Sequence, residues 1–233
     1  MARTPETNEA FIREVDEELR RDQLTGLWKR WGILLVALIV AGLLAFGGWL
    51  WWQDYQAKQA GLEGERLSAA VEQLSADRVA AAEPALKELT ASERAGYRSA
   101  ARLAQGALSA QRGDLQAASA TFGAVAKDGE VGQPLRDLAL IRQTTAEFDT
   151  LPPDQVIARM QPLAQKGNPF FGSAGELVAI AHLKAGRPKD AGAVYAALAA
   201  DPNVPPTIRS RAAQMASVTG IDINPAVLPS LTR

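Results

Sequence analysis

From Trp31 to Trp52 the chain runs for 22 residues without a charge, and no other stretch approaches that length. As a helix this run covers about 33 Å, enough for a hydrocarbon core of about 30 Å. A helix pairs its backbone N–H and C=O groups internally, which lipid demands. Trp31 stands at one end and Trp49, Trp51 and Trp52 at the other, where amphipathic rings favour the two membrane interfaces. A cleaved secretory signal has a short basic leader, an apolar core of about 7–15 residues and a small-residue cleavage site. Here thirty mostly polar residues come first, and the exit is crowded with tryptophan. The same features argue against a buried core helix. The expectation is an uncleaved membrane anchor in contact with lipid.

Orientation follows from the flanks. Arg13, Arg20, Arg21, Lys29 and Arg30 precede the span, whereas a comparable window after it holds only Lys58 and Arg66. Lys and Arg accumulate on the cytoplasmic side. The expected organisation is a cytoplasmic amphipathic segment over 1–30, a transmembrane helix over 31–52, an exported domain over 53–219 and a tail over 220–233. In a bacterium this is a single-pass inner-membrane protein with its C-terminal domain in the periplasm. The absence of cysteine fits that compartment without selecting it.

Charge limits the partners. Six of the 25 basic and seven of the 26 acidic residues lie in the first thirty, leaving 19 of each beyond. A balanced domain has no electrostatic footprint for nucleic acid.

Beyond the span, apolar residues recur at helical spacing, as in Leu67, Val71 and Leu74 or Leu135, Leu138 and Ile141. Gly and Pro interrupt the pattern at Gly113, Gly129–Pro134, Pro152–Pro153, Gly167–Pro169, Gly186–Pro188 and Pro202–Pro206. The spacing predicts short helices joined by tight turns, with no strand. One pattern repeats. "GDLQAASATFGAV" from Gly113 and "GRPKDAGAVYAAL" from Gly186 both place alanine five residues after glycine, an aromatic four further on and an apolar residue three beyond that. The triplets are Ala118, Phe122, Val125 and Ala191, Tyr195, Leu198. The register extends to Val156, Met160, Leu163 and, more weakly, to Ala82, Leu86, Leu89, with starts 36, 38 and 35 residues apart. Alanine-rich helices can produce such triplets by chance, but four copies at near-constant spacing argue for stacked helical hairpins. The first position is small to medium: a small residue such as Ala118 or Ala191 lets two helices approach closely, and the large residue one turn later fills the groove to the next repeat. Pro206–Val218 is expected to cap the stack, and the tail from Gly220 to be partly disordered or packed on the last repeat.

Gly106, Gly113, Ala118 and Phe122, with Gly186, Ala191, Tyr195 and Asp201–Pro202, resemble the skeleton of tetratricopeptide repeats, although the usual Trp and Tyr of the first helix are missing. The resemblance implies an all-α fold: one N-terminal transmembrane helix, then a tetratricopeptide-like α-solenoid of about four divergent hairpins and a capping helix. "FIREVDEELRRDQLTGLWKRWG" from Phe11, followed by one span and a degenerate repeat domain, is similar to the bacterial ancillary subunits of the Sec translocon. That likeness implies an adaptor linking translocon subunits to periplasmic chaperones. A scaffold for another envelope assembly, such as cytochrome maturation or cell-wall synthesis, has the same physical design and stays open.

Several residues are candidates for contact. Thr4–Pro5 reads as a helix start, after which Phe11, Val15 and Leu19 (with Ile12) form a narrow apolar stripe. It suits either a solvated juxtamembrane helix touching headgroups or docking onto a membrane partner. Ala37, Ala41 and Ala45 share a face of the span, which reflects alanine abundance or a close helix–helix contact in lipid. In the repeats, Arg102, Gln105, Ser109, Arg136, Leu140 and His182 are candidates for a groove that holds an extended peptide or partner helix; solvated helix surface is the bland alternative for each. His182 is the only histidine, so a metal cluster built from several histidines cannot be assembled. No Walker loop, nucleophile elbow or dinucleotide turn occurs. The expectation is a non-enzymatic protein without cofactor, metal or small-molecule substrate.

Overall fold

A computed structural model describes residues 6–221, with side chains described for residue 29 and from residue 31 onward. Among the described residues the chain forms nine α-helices and no strand. Two compact units divide between Leu62 and Glu63.

The first unit lies within α1 (Glu6–Ser75). Its apolar stretch has a mean hydropathy of 2.6 over the best 18-residue window, none of it buried. Thr4–Pro5 lies outside the described residues. Phe11, Val15 and Leu19 fall on the α1 backbone, and their side chains lie outside the described ones.

The second unit holds the last turns of α1, then α2 (Val79–Leu89), α3 (Ala95–Gln111), α4 (Leu115–Ala126), α5 (Gln133–Glu147), α6 (Pro153–Met160), α7 (Phe171–Lys184), α8 (Pro188–Ala200) and α9 (Pro206–Val218). From α2 onward, successive helices pack against each other, and α3 touches α5, α5 touches α7 and α7 touches α9. That is a stack of antiparallel hairpins in which every second helix is a neighbour of the next. Proline in the first turn starts α5, α6, α8 and α9, where its missing N–H has no intrahelical partner to lose.

The turns share a mechanism. Gly113 (φ 80°) and Gly186 (φ 69°) sit in the left-handed region, which a side chain would oppose. The N–H of the following residue then reaches back five positions, from Asp114 to Ser109 and from Arg187 to His182, each at 2.9 Å. This closes the helix end with a reversed turn and starts the next helix antiparallel. The first hairpin makes the same turn with Asp77 (φ 58°) in place of glycine, and Arg78 N–H donates to the Gln73 carbonyl at 2.8 Å. Aspartate is one of the residues that tolerates this conformation.

All twelve residues of the repeating triplet are buried. Nine of them fill three cores along the stack: Ala82, Leu86 and Leu89 with Ala70 and Ala101; Val156, Met160 and Leu163 with Ile141 and Val178; Ala191, Tyr195 and Leu198 with Ala212 and Ala216. Val125 packs with Val131 and Ala139 between them. Leu163 is a difference of detail: α6 ends at Met160, and Leu163 reaches its core from the turn beyond. Gly106 lies so close to Phe122 that an added Cβ would stand 2.6 Å from the ring, and one at Gly175 would stand 2.8 Å from Leu198. At those points the backbone of one helix packs directly on the large residue of the next.

Candidate functional site

Two surfaces stand out, one in each unit. On α1, Ile33 is 86 % exposed, Leu38 72 % and Leu44 72 %, and the other large residues from Trp31 to Trp52 are exposed as well. An uninterrupted apolar surface of this kind needs an apolar covering. The helix is long and apolar enough, by length and composition, to cross a membrane. Its distal end carries an aromatic cluster, with ring centroids 5.9 Å apart for Phe46–Trp49, 6.0 Å for Trp51–Tyr55 and 6.4 Å for Trp52–Tyr55. Ala37, Ala41 and Ala45 are exposed on this helix.

In the second unit the six expected groove residues divide among separate environments. Arg102 lies 3.9 Å from Asp128, whose carboxylate also accepts from Arg98 at 3.1 Å. Gln105 and Ser109 line a hollow of about 470 Å³ together with Lys87, Thr121 and the paired Glu83 and Arg112. Arg136 donates to the Val131 carbonyl and to Gln133. Leu140 packs against the core around Val156 and Met160. His182 Nδ1 is buried without a hydrogen bond among the described residues, 3.9 Å from Asp190.

A larger cavity, about 590 Å³, lies elsewhere on α3 and draws on the end of α1, α4 and α5. Its lining includes Leu74, Ala104, Ala107, Leu108, Gln111, Leu115, Phe122, Arg142 and Thr145. The signal for it in the sequence is weak, because alanine in an alanine-rich helix does not announce a surface. The spacing of Ala104, Ala107 and Gln111 along one face is the only trace.

Charged side chains tie neighbouring helices together at two points. Glu147, at the end of α5, accepts from Ser119 on α4, from Gln143 at 2.9 Å and from Arg159 on α6. Partial burial pushes its carboxyl upward, but the hydrogen bonds from Ser119, Arg159 and Gln143 outweigh this and hold it below the ordinary range. Asp128 is also held low, by the Glu130 backbone N–H and then by Arg98.

The pH consequence has a definite sign. An unfolded glutamate titrates near ~4.3. Because the folded value of Glu147 is lower, its contribution is complete above that point and is lost as pH falls through the folded value. Glu147→Gln should therefore lower the melting temperature at pH 7 and reduce its further fall on acidification below ~4.3. Parallel pH profiles of melting temperature for the two proteins, followed by circular dichroism, would contradict the assignment.

A family profile described as a tetratricopeptide repeat-like domain matches residues 26–215, most of the chain. The chain belongs to this family. The match takes in the apolar run from Trp31 as well as the hairpins from α2 into α9. Tetratricopeptide repeat-like domains mediate protein–protein interaction, and an array of stacked hairpins supplies an extended surface for that purpose. No curated protein and no solved structure matches the chain. The tetratricopeptide repeat-like assignment accounts for the recurring triplet and the shared turns.

Proposed function

We propose that the chain is a membrane-anchored adaptor of the bacterial Sec translocon. In this reading α1 crosses the inner membrane once with its N-terminus in the cytoplasm. The tetratricopeptide repeat-like domain then faces the periplasm and links the channel to periplasmic chaperones. The observation that carries the reading is the joining, in one chain, of an unburied apolar helix with an aromatic end to a repeat-like domain built for partner proteins. The excess of Lys and Arg before Trp31 supports the orientation. The likeness of residues 11–32 and of the overall layout to translocon ancillary subunits supports the choice of channel.

The stripe of Phe11, Val15 and Leu19 and the face of Ala37, Ala41 and Ala45 are the proposed contacts with the membrane partner, since those parts meet the channel first. Purification of the tagged chain in a mild detergent tests the proposal. The translocon channel subunits should co-purify, and Phe11→Asp combined with Val15→Asp should reduce their recovery. Recovery of a cytochrome-maturation or cell-wall assembly without the channel would overturn the translocon reading in favour of a scaffold for that assembly.

A further inference from the structure

Among the described residues, Asp201 is the one charged residue that is buried. It is 2 % exposed and stands where α8 gives way to the turn before α9. Its Oδ1 accepts from the Asn203 backbone N–H at 2.9 Å and from the Asn203 side-chain amide at 3.1 Å. No cationic side chain pairs with it among the described residues. The turn needs only the acceptor at Oδ1, which an asparagine would supply as well. The charge has no such local reason, and buried charges are paired or bind metal ions. Asp201 borders a cavity of about 300 Å³ between the loop before α7 and the loop before α9. No basic side chain lines this cavity; its polar side chains are the amides of Asn168 and Asn203 and the hydroxyl of Ser173. The backbone carbonyls of Gly167 and Pro169, in the same lining, accept no loop hydrogen bond. The first turns of α7 and α9 also border the cavity, and helix N-termini favour an anion. Neither donates an N–H to Asp201, whose hydrogen bonds all come from Asn203.

We infer that this cavity is a calcium site in which Asp201 supplies the charged ligand. Calcium takes about six to eight oxygen ligands at about 2.3–2.6 Å in flexible geometry, from carboxylates, amide and backbone carbonyls and water. The lining offers one carboxylate and several neutral oxygens on two loops, with room for waters to complete the shell. It holds no imidazole or thiolate, so the donor set suits a hard cation rather than zinc or copper. Magnesium demands near-ideal octahedral geometry, which two loops meet less readily. Oxygen ligands need neither histidine nor cysteine, so the expectation of a metal-free chain drawn from the sequence does not extend to this site. With a single carboxylate, the affinity falls at about 10⁻⁴–10⁻³ M, the range of extracellular calcium modules. Calcium bound there joins the α6–α7 loop to the α8–α9 loop and braces the C-terminal end of the stack, whichever partner the domain serves.

Thermal unfolding of the full-length chain in micelles of an uncharged detergent, followed by circular dichroism, tests this. Calcium at about ten times its dissociation constant should raise the melting temperature by about 3–6 °C over EDTA. Magnesium at the same concentration should raise it markedly less. Asp201→Asn keeps the acceptor that Asn203 uses. It should lose the calcium response and, in EDTA, melt no lower than the wild type, because an uncompensated buried charge has gone. Equilibrium dialysis against radioactive calcium should count one bound ion fewer in this variant. Asn203→Asp, which adds a second carboxylate to the lining, should instead bind calcium about tenfold more tightly. No calcium-induced rise in the wild type, an equal rise in Asp201→Asn or an equal rise with magnesium would overturn the inference. So would a lower melting temperature of Asp201→Asn in EDTA, which would mean that the helix ends alone stabilise the carboxylate.

Discussion

Val40→Arg combined with Leu44→Arg is expected to release the chain from the membrane fraction. Both residues lie mid-way along the uncharged run, and both are exposed on α1. A single arginine at the centre of a bilayer costs about 2.5–3.5 kcal/mol on insertion scales. Two such costs, even partly relieved by side chains reaching for the interface, are comparable to a large part of the net preference of one helix for lipid. The wild-type chain should stay in the pellet after alkaline carbonate extraction, and the double variant should appear in the supernatant or aggregate. A matched double substitution on the repeat domain, Lys127→Arg with Lys166→Arg, should change nothing. Retention of the mid-span variant in the carbonate pellet would mean that lipid is not what covers this helix.

The second large effect concerns the stack itself. Phe122 is 3 % exposed and lies directly over Gly106. Phe122→Ala should destabilise the repeat domain by about 3–5 kcal/mol, the usual cost of removing a buried aromatic ring. Gly106→Ala should also destabilise the wild-type chain, by about 1–3 kcal/mol, because the new methyl meets the ring within van der Waals distance. The two effects should not add. Once the ring is gone the methyl enters vacated space, and alanine is the better residue in a helix interior by about 1 kcal/mol. In the Phe122→Ala background, Gly106→Ala should therefore be neutral or stabilising. Denaturant unfolding of the four proteins yields the coupling directly. Additive losses would show that the ring and the glycine are not in the contact described.

That pair also shows what the sequence reveals and what it hides. The triplet small–large–apolar was readable because one physical requirement, filling the groove between hairpins, recurs at a fixed spacing. Its four copies and the start of α9 at Pro206 stand where the pattern places them. The turn before the first copy was harder to see, because Asp77 does there what glycine does at Gly113 and Gly186. The pattern of residue types is broken although the backbone geometry is kept. The larger cavity left almost no trace, for a different reason. Polar residues such as Gln105 and Ser109 draw attention as candidates for binding, whereas the wall beside them is formed by Ala104, Ala107 and the aliphatic part of its neighbours. Sequence spacing finds the buried side of a repeat readily, because burial is selective for size and polarity. It says much less about which exposed face is concave.

In the proposed arrangement α1 anchors the chain in a membrane with the repeat domain on the side away from the N-terminus. Because the chain contains no cysteine, a single introduced thiol reports its own compartment. Thr7→Cys marks the N-terminal segment and Ala91→Cys marks an exposed turn of the repeat domain. Cells with a permeabilised outer membrane and an intact inner membrane are treated with a membrane-impermeant maleimide. The account predicts labelling of Ala91→Cys at once and of Thr7→Cys only after the inner membrane is broken; the reverse order, or protection of both, would contradict it.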